Sequence, residues 1–276
     1  NALAKGHDYY NFSGLTVSPD QSCGVFGADT RGNGRFTLHF IDLATGECME
    51  QCVEDVTDDV EWAADNQTIL YARQHPETHR DYQVLSFNLS GGTSRLIYQE
   101  DDESCWLSVE KSLSGRHLFL VSDATLSTEV RYLDAGRPDA GLSLFIPRNE
   151  NHEYYVTDGG DRFFILSNLS APNFRLFECP LDRTSMSAWV EVVPHRESVL
   201  IDNLDVFDGF IALSVVVEGL DQIEVLDRKD GGIVKIEFDE PAFSACPVDN
   251  AQYETDELRF SFESLKTPES IVDYHI

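Results

Sequence analysis

Positive charge is what this chain has least of: 20 Lys+Arg stand against 49 Asp+Glu over 276 residues, a formal net charge of −29. Nucleic-acid binding needs a basic patch to meet phosphates and none is visible, so nucleic acid is set aside as a partner. No apolar run reaches membrane-spanning length and no cleavable signal pattern opens the sequence, so no membrane association is expected. Cysteine is sparse and unpatterned: of the six, none forms a CxxC pair, and Cys48 and Cys52 are spaced CMEQC without a His or second pair to complete a zinc site. Free thiols in a reducing, cytoplasmic compartment are the expected state. The four Asn-x-Ser/Thr sequons, at Asn11, Asn66, Asn88 and Asn168, would matter only in a secreted eukaryotic protein.

Helical periodicity is also missing. No segment keeps apolar residues at helical spacing over three turns, and only loop-sized pieces such as Arg183 to Ala188 suit a helix. A repeat is present instead. A short apolar strand, a polar turn, a strongly apolar strand and a longer hairpin return six times, with the first turn near Asp20, Asp65, Ser114, Gly160, Asp208 and Glu254. That interval, about 45 to 49 residues, matches the four-stranded blade of a β-propeller. The strands favour β-branched and aromatic residues, and Gly, Asn, Asp or Ser stands at each hairpin turn.

The reading is therefore all-β: five complete blades and a sixth that stops after its third strand. Residues 1–13 form a lead-in, with Asn1-Ala2 as a tag remnant, and 14–276 the propeller. The chain reads as cut at both ends. Unpaired strand edges left by such a cut predict self-association.

Chemistry is hard to find. There is no GxSxG elbow. His152-Glu153 and His195-Arg196 fall at blade junctions without a nucleophile and an orienting partner, so neither makes a catalytic site. Asp58-Asp59, the run Glu100 to Glu103 and the segment Asp227 to Asp230 are acidic clusters on expected turns, without the ligand spacing of a calcium loop. The segment Asp29 to Arg35 reads as a loop, with no strand-to-helix context for a phosphate. No metal, cofactor or catalytic residue is assigned. The inner strands offer Glu61, Glu110, Asp158 and Asp208, which a propeller enzyme of the glycosidase or lactonase kind would gather at its axis. Their spacing does not mark them as a set.

Particular words then narrow the field. HDYY, VSPD, LATGE, VEWAADNQTILYAR, DYQV, TLSTEVRYLDA, the PR–HEY junction, NFRL, the VPHR junction, FDEPAF and SLKTPESIVDY follow in this order from about Lys5 to Tyr274. Together they resemble the propeller of the prolyl oligopeptidase family of serine peptidases, in its trypsin-like oligopeptidase B branch. The resemblance implies a seven-bladed propeller capping an α/β-hydrolase domain that carries the Ser-Asp-His triad. No triad position falls within this chain. The implied role is gating: the propeller restricts access to short peptides, and the parent cleaves after Lys and Arg. The partners so implied are the α/β-hydrolase domain of the same parent chain and short basic peptides, which the acidic balance would attract; an acidic surface also serves solubility alone. Glu129 and Arg131, where the third blade crosses to the next, are the residues picked for a domain-interface or gating role, with an ion pair inside the blade as the other reading. A stand-alone propeller acting as an interaction scaffold is the alternative function.

Overall fold

The computed structural model describes residues 4–248 and 250–276. Its described residues form six antiparallel sheets, each of strands consecutive in sequence. The first holds β1 (Asn11–Val17), β2 (Cys23–Asp29), β3 (Phe36–Asp42) and β4 (Cys48–Val56). The second holds β5 (Val60–Trp62), β6 (Thr68–Gln74), β7 (Asp81–Asn88) and β8 (Thr93–Gln99). The third holds β9 (Trp106–Lys111), β10 (His117–Ala124), β11 (Ser127–Asp134) and β12 (Ser143–Leu144). The fourth holds β13 (Tyr154–Asp158), β14 (Arg162–Ser167), β15 (Arg175–Pro180) and β16 (Val190–Val193). The fifth holds β17 (Val199–Val206), β18 (Phe210–Val217), β19 (Leu220–Asp227) and β20 (Ile233–Lys235). The last has three strands, β21 (Phe243–Pro247), β22 (Glu257–Ser264) and β23 (Ser270–His275).

Among the described residues the six repeats of the sequence are thus six sheets, five with four strands and one with three. Among the described residues the one helical element is a 3₁₀ turn, Met186–Ala188, inside the segment singled out by sequence. β1 begins at Asn11, so the last residues of the expected lead-in already pair with β2 (Asn11 opposite Asp29, Phe12 opposite Ala28).

Local chemistry explains the turns. The carboxylates of Asp20, Asp42, Asp65 and Asp227 each accept a backbone N–H two residues further on, from Ser22, Ala44, Gln67 and Lys229. Each side chain stands in for a turn hydrogen bond, which is why Asp recurs at hairpin ends. Gly24 shows why some strand positions must be bare. A Cβ there would lie 2.6 Å from the Leu15 side chain and 3.2 Å from that of Ile41.

The strands cluster into two compact units. The first, Asn1–Lys111 with Gly115–Pro147, carries the first three sheets. Facing sheets interlock here through Phe40, Trp62, Tyr71 and Phe87, with Phe40 stacked on Phe87 at 5.5 Å and edge-on to Trp62 at 6.1 Å. The Trp62 indole also donates to the Thr16 carbonyl at 3.0 Å, tying the innermost strands β1 and β5. A second cluster, including Leu70, Val84, Val109 and Leu120, joins the second sheet to the third. Arg80, almost fully buried, donates to the carbonyls of Glu100, Asp102 and Cys105, closing the passage between those sheets.

The second unit, Ser112–Ser114 with Arg148–Ile276, carries the remaining sheets. Leu166, Leu176, Ile211 and Leu213 pack its fourth sheet on its fifth. Phe207, Phe210, Phe260 and Leu258 pack the fifth on the last. Burying such side chains contributes about 1.5–3 kcal/mol each relative to leaving them in water.

Candidate functional site

In the first unit the innermost strands of the second and third sheets bring carboxylates together. Asp59, just before β5, and Glu61 within it are two residues apart, so strand alternation sends both side chains the same way. Glu110 and Lys111 close β9. The backbone N–H of Val109 donates to Asp59 Oδ2 at 2.8 Å, bridging 50 residues of sequence. Lys111 Nζ lies 3.2 Å from Glu61 Oε2 and 3.4 Å from the Trp62 carbonyl oxygen.

This crowding shifts the acids in one direction. Burial pushes Asp59 up to about 7, and the nearby charges of Asp81, Glu61 and Glu110 push the same way against the Val109 hydrogen bond. Burial raises Glu61 too, with Lys111 pulling it back. Glu110 is raised by its surroundings first, then by Asp123 and Glu61. Asp81, at the start of β7, is raised by burial, opposed by a hydrogen bond from Gln74. Lys111 is the cation paired within this group, through Glu61. Among the described residues no group of three His, Cys, Asp or Glu side chains is arranged to hold a metal ion.

Of the four inner-strand acids marked in the sequence, Glu61 and Glu110 come together here. The other two belong to the second unit and do turn work. Asp158 is fully buried, and its Oδ1 accepts from the Ser114 hydroxyl at 2.6 Å and the Gly160 N–H at 2.9 Å. Asp208 is exposed and engages through its backbone, its N–H donating to Tyr253 and its carbonyl accepting from Arg228. By sequence Asp59 reads as part of a turn cluster with Asp58, and Asp205, raised by burial on β17, lies outside the four marked acids. The signal for Asp59 was available, since it shares the strand parity of Glu61.

Glu129 and Arg131 lie within β11, flanked by β10 and β12, and not at the crossing from the third blade to the next expected from the sequence. Arg131 Nη2 donates to Glu129 Oε1 at 2.7 Å, and its guanidinium sits 4.5 Å from the Tyr98 ring centroid on β8. The pair thus reaches from the third sheet to the second.

The other candidates resolve into structure. His152 is buried against Tyr154 and Trp189, its Nε2 2.8 Å from the equally buried Ser167 hydroxyl. Burial lowers its pKa, and Nδ1 has no hydrogen-bond partner among the described residues. Nothing orients it as a base. Arg196 makes a two-pronged bond to the Glu224 carboxylate at 2.9 and 2.8 Å. In the Asp29 loop the N–H groups of Arg31, Gly32 and Gly34 all point at the Asp29 carboxylate. Burial would raise this acid, but those bonds outweigh it and its pKa falls. An internal carboxylate already holds the donors an anion would need.

The profile described as "Prolyl oligopeptidase, N-terminal beta-propeller domain" matches residues 1–276. Dipeptidyl aminopeptidase BI of Pseudoxanthomonas mexicana is 31% identical over 271 residues, spanning 97% of this chain and 37% of its own length. Protease 2 of Moraxella lacunata is 29% identical over 274 residues, 98% of this chain and 39% of its own. Among solved structures, oligopeptidase B from Leishmania major superposes with a TM-score of 0.91 at 22% identity, over 99% of this chain and 40% of that one. Oligopeptidase B from Trypanosoma brucei, with covalently bound antipain, gives 0.92 at 22% identity, over 100% of this chain and 40% of that one. The chain therefore spans about two fifths of the length of these relatives.

Proposed function

The chain belongs to the prolyl oligopeptidase N-terminal β-propeller family, and from that premise we propose that it is the gating domain of a cytosolic serine oligopeptidase cleaving short peptides after Lys or Arg. The observation carrying this reading is one of extent. The propeller profile takes up all 276 residues, while 37% and 39% of two curated relatives are matched. The larger share of such a protein is left for an α/β-hydrolase domain carrying a Ser-Asp-His triad, to which the propeller is joined.

Gating follows from what packed sheets offer. They contribute no nucleophile; they exclude bulk. A folded protein is held away from the catalytic groups, whereas an extended peptide passes. The preference for basic residues draws on charge. The net charge of −29 and the acids around Asp59, Glu61 and Glu110 raise the local concentration of peptides bearing Lys or Arg. Glu129 and Arg131 remain in the proposal as the pair through which the third sheet takes part in gating or meets the catalytic domain.

The test uses the longer protein with and without this segment. With it, hydrolysis of an Arg-linked short peptide should exceed that of casein by orders of magnitude, and removing it should narrow that gap. Equal discrimination without the segment would sink the gating role. A preference for apolar over basic residues at the cleaved bond would sink the specificity.

A further inference from the structure

The first sheet carries two cysteines in an arrangement that spacing alone does not reveal. β4 pairs with β3 through an irregular register: Cys52 lies opposite His39, and Cys48 opposite Ile41. The five residues Cys48 to Cys52 thus stand opposite three, His39 to Ile41, with two extra residues taken up in the bulge. An unbroken strand would hold residues i and i+4 about 13 Å apart. Here the separation follows that of His39 and Ile41, about 6.7 Å for two strand residues.

Both thiols also share a face. Met49 and Val53 pack against the core cluster that includes Leu38 and Phe40, and alternation sends the residues before them to the opposite side. Those residues are Cys48 and Cys52. Both are exposed and both are free. β4 ends its sheet and pairs with β3 alone, so its backbone can yield by the few tenths of an ångström that a disulfide requires. A disulfide joins Cα atoms about 4.4–6.8 Å apart.

We propose that Cys48 and Cys52 form a dithiol site that closes reversibly to an intrachain disulfide by exchange with a small-molecule disulfide of the glutathione class. One thiolate attacks a sulfur of oxidised glutathione, forming a mixed disulfide and releasing one reduced glutathione. The second thiolate attacks the protein sulfur of that mixed disulfide, forming the Cys48–Cys52 bond and releasing the second. The chain loses two thiol protons and two electrons, and one glutathione disulfide becomes two thiols. An exposed disulfide over so short a span is of the labile kind that a reducing pool reopens. It is therefore compatible with free thiols as the resting state in a reducing compartment.

The remaining cysteines are poor competitors. Cys23, Cys105 and Cys179 are buried and Cys246 is half-buried. Burial also raises the Cys23 thiol and pushes that of Cys179 up to about 11, which lowers the thiolate fraction that exchange requires.

The test is thiol mapping on the full chain after incubation with oxidised glutathione under native conditions. Two of the six cysteines should become resistant to alkylation, with the intact mass falling by two hydrogens. Peptide mapping should join Cys48 to Cys52, and dithiothreitol should restore all six. In Cys48→Ser and Cys52→Ser chains the partner cysteine should instead retain a glutathione adduct, because no second thiol resolves it. Separate glutathione adducts on Cys48 and Cys52 in the unsubstituted chain, or six alkylatable thiols throughout, would overturn the proposal. So would a disulfide mapped to any other pair.

Discussion

The guanidinium of Arg228 donates to the carbonyl oxygen of Gly159 at 2.8 Å, across 69 residues of sequence. The same side chain reaches the carbonyls of Phe207 and Asp208, the hydroxyl of Tyr253 and the carboxylate of Asp161. Tyr253 in turn donates to the Gly159 carbonyl at 2.6 Å. One arginine therefore fastens the first turn of the fourth sheet to those of the fifth and last.

Arg228→Ala should destabilise the chain by about 1–3 kcal/mol, since the partly buried carbonyls of Phe207 and Gly159 lose a shared charged donor. Arg228→Lys should recover only part of this, because an ammonium lacks the planar fork that serves several acceptors at once. Tyr253→Phe removes one donor and should cost about 1 kcal/mol. Urea denaturation midpoints rank the three. Equal midpoints for Arg228→Ala and the unsubstituted chain would remove Arg228 as a fastener.

Asp59 gives a pH signature with a definite sign. Its folded-state pKa is raised to about 7 from 3.8, so the folded chain binds the proton more tightly than the unfolded one. The stability this contributes is fully present below 3.8 and is lost as pH rises through about 7. Asp59→Asn keeps an oxygen for the Val109 N–H and has no charge to desolvate. The substituted chain should be the more stable at pH 8, with an advantage that shrinks toward pH 4. Urea titrations at both pH values decide this, and an advantage that does not vary with pH would count against a raised Asp59.

The sheets were legible because their causes are local. Alternation in VEWAADNQTILYAR and the Asx turns at Asp20, Asp42 and Asp65 are written within a few residues of each other. β12 shrank to Ser143–Leu144 although GLSLFIP reads as a longer strand. Its next residues, Phe145 and Ile146, are buried, and the Phe145 N–H still donates to the Val130 carbonyl on β11 at 2.9 Å. The carboxylate site was half legible. Glu61 and Glu110 stand on recognisable strands, but Asp59 sits beside Asp58 and resembled a turn pair. What placed it was the Val109 N–H, 50 residues away. Arg228 was hidden for the same reason: locally DRKDGG is a tight turn, and its partners in the fourth and last sheets have no local trace.

Exposed apolar side chains argue for association. Phe12, Leu15 and Val17 on β1 are 49, 46 and 38% exposed, and Ile271 on β23 is 57% exposed beside Tyr274 at 36%. β23 also ends its sheet with one edge unpaired, a template for another strand. The chain should therefore self-associate at high concentration, with Leu15→Lys and Ile271→Lys weakening it. Light scattering as a function of concentration reads this directly. A clean monomer across the range would show that these faces are tolerated in water.

The chain by itself should not hydrolyse Arg-linked chromogenic peptides. The Ser–His pair Ser167 and His152, in hydrogen-bond contact, is sealed in the fourth sheet at 0% and 3% exposure. Substrate cannot reach it, and the imidazole, its pKa lowered by burial, packs against rings rather than a carboxylate that would orient it. A nucleophile needs an accessible oxygen, a poised base and donors for the oxyanion together. Release of p-nitroaniline by the purified chain should match buffer alone, and Ser167→Ala should change stability rather than rate. Turnover that survives Ser167→Ala would indicate a contaminating peptidase. Turnover that follows the chain through purification and disappears in Ser167→Ala would mean that this sheet opens, and the gating proposal would have to yield to a catalytic one.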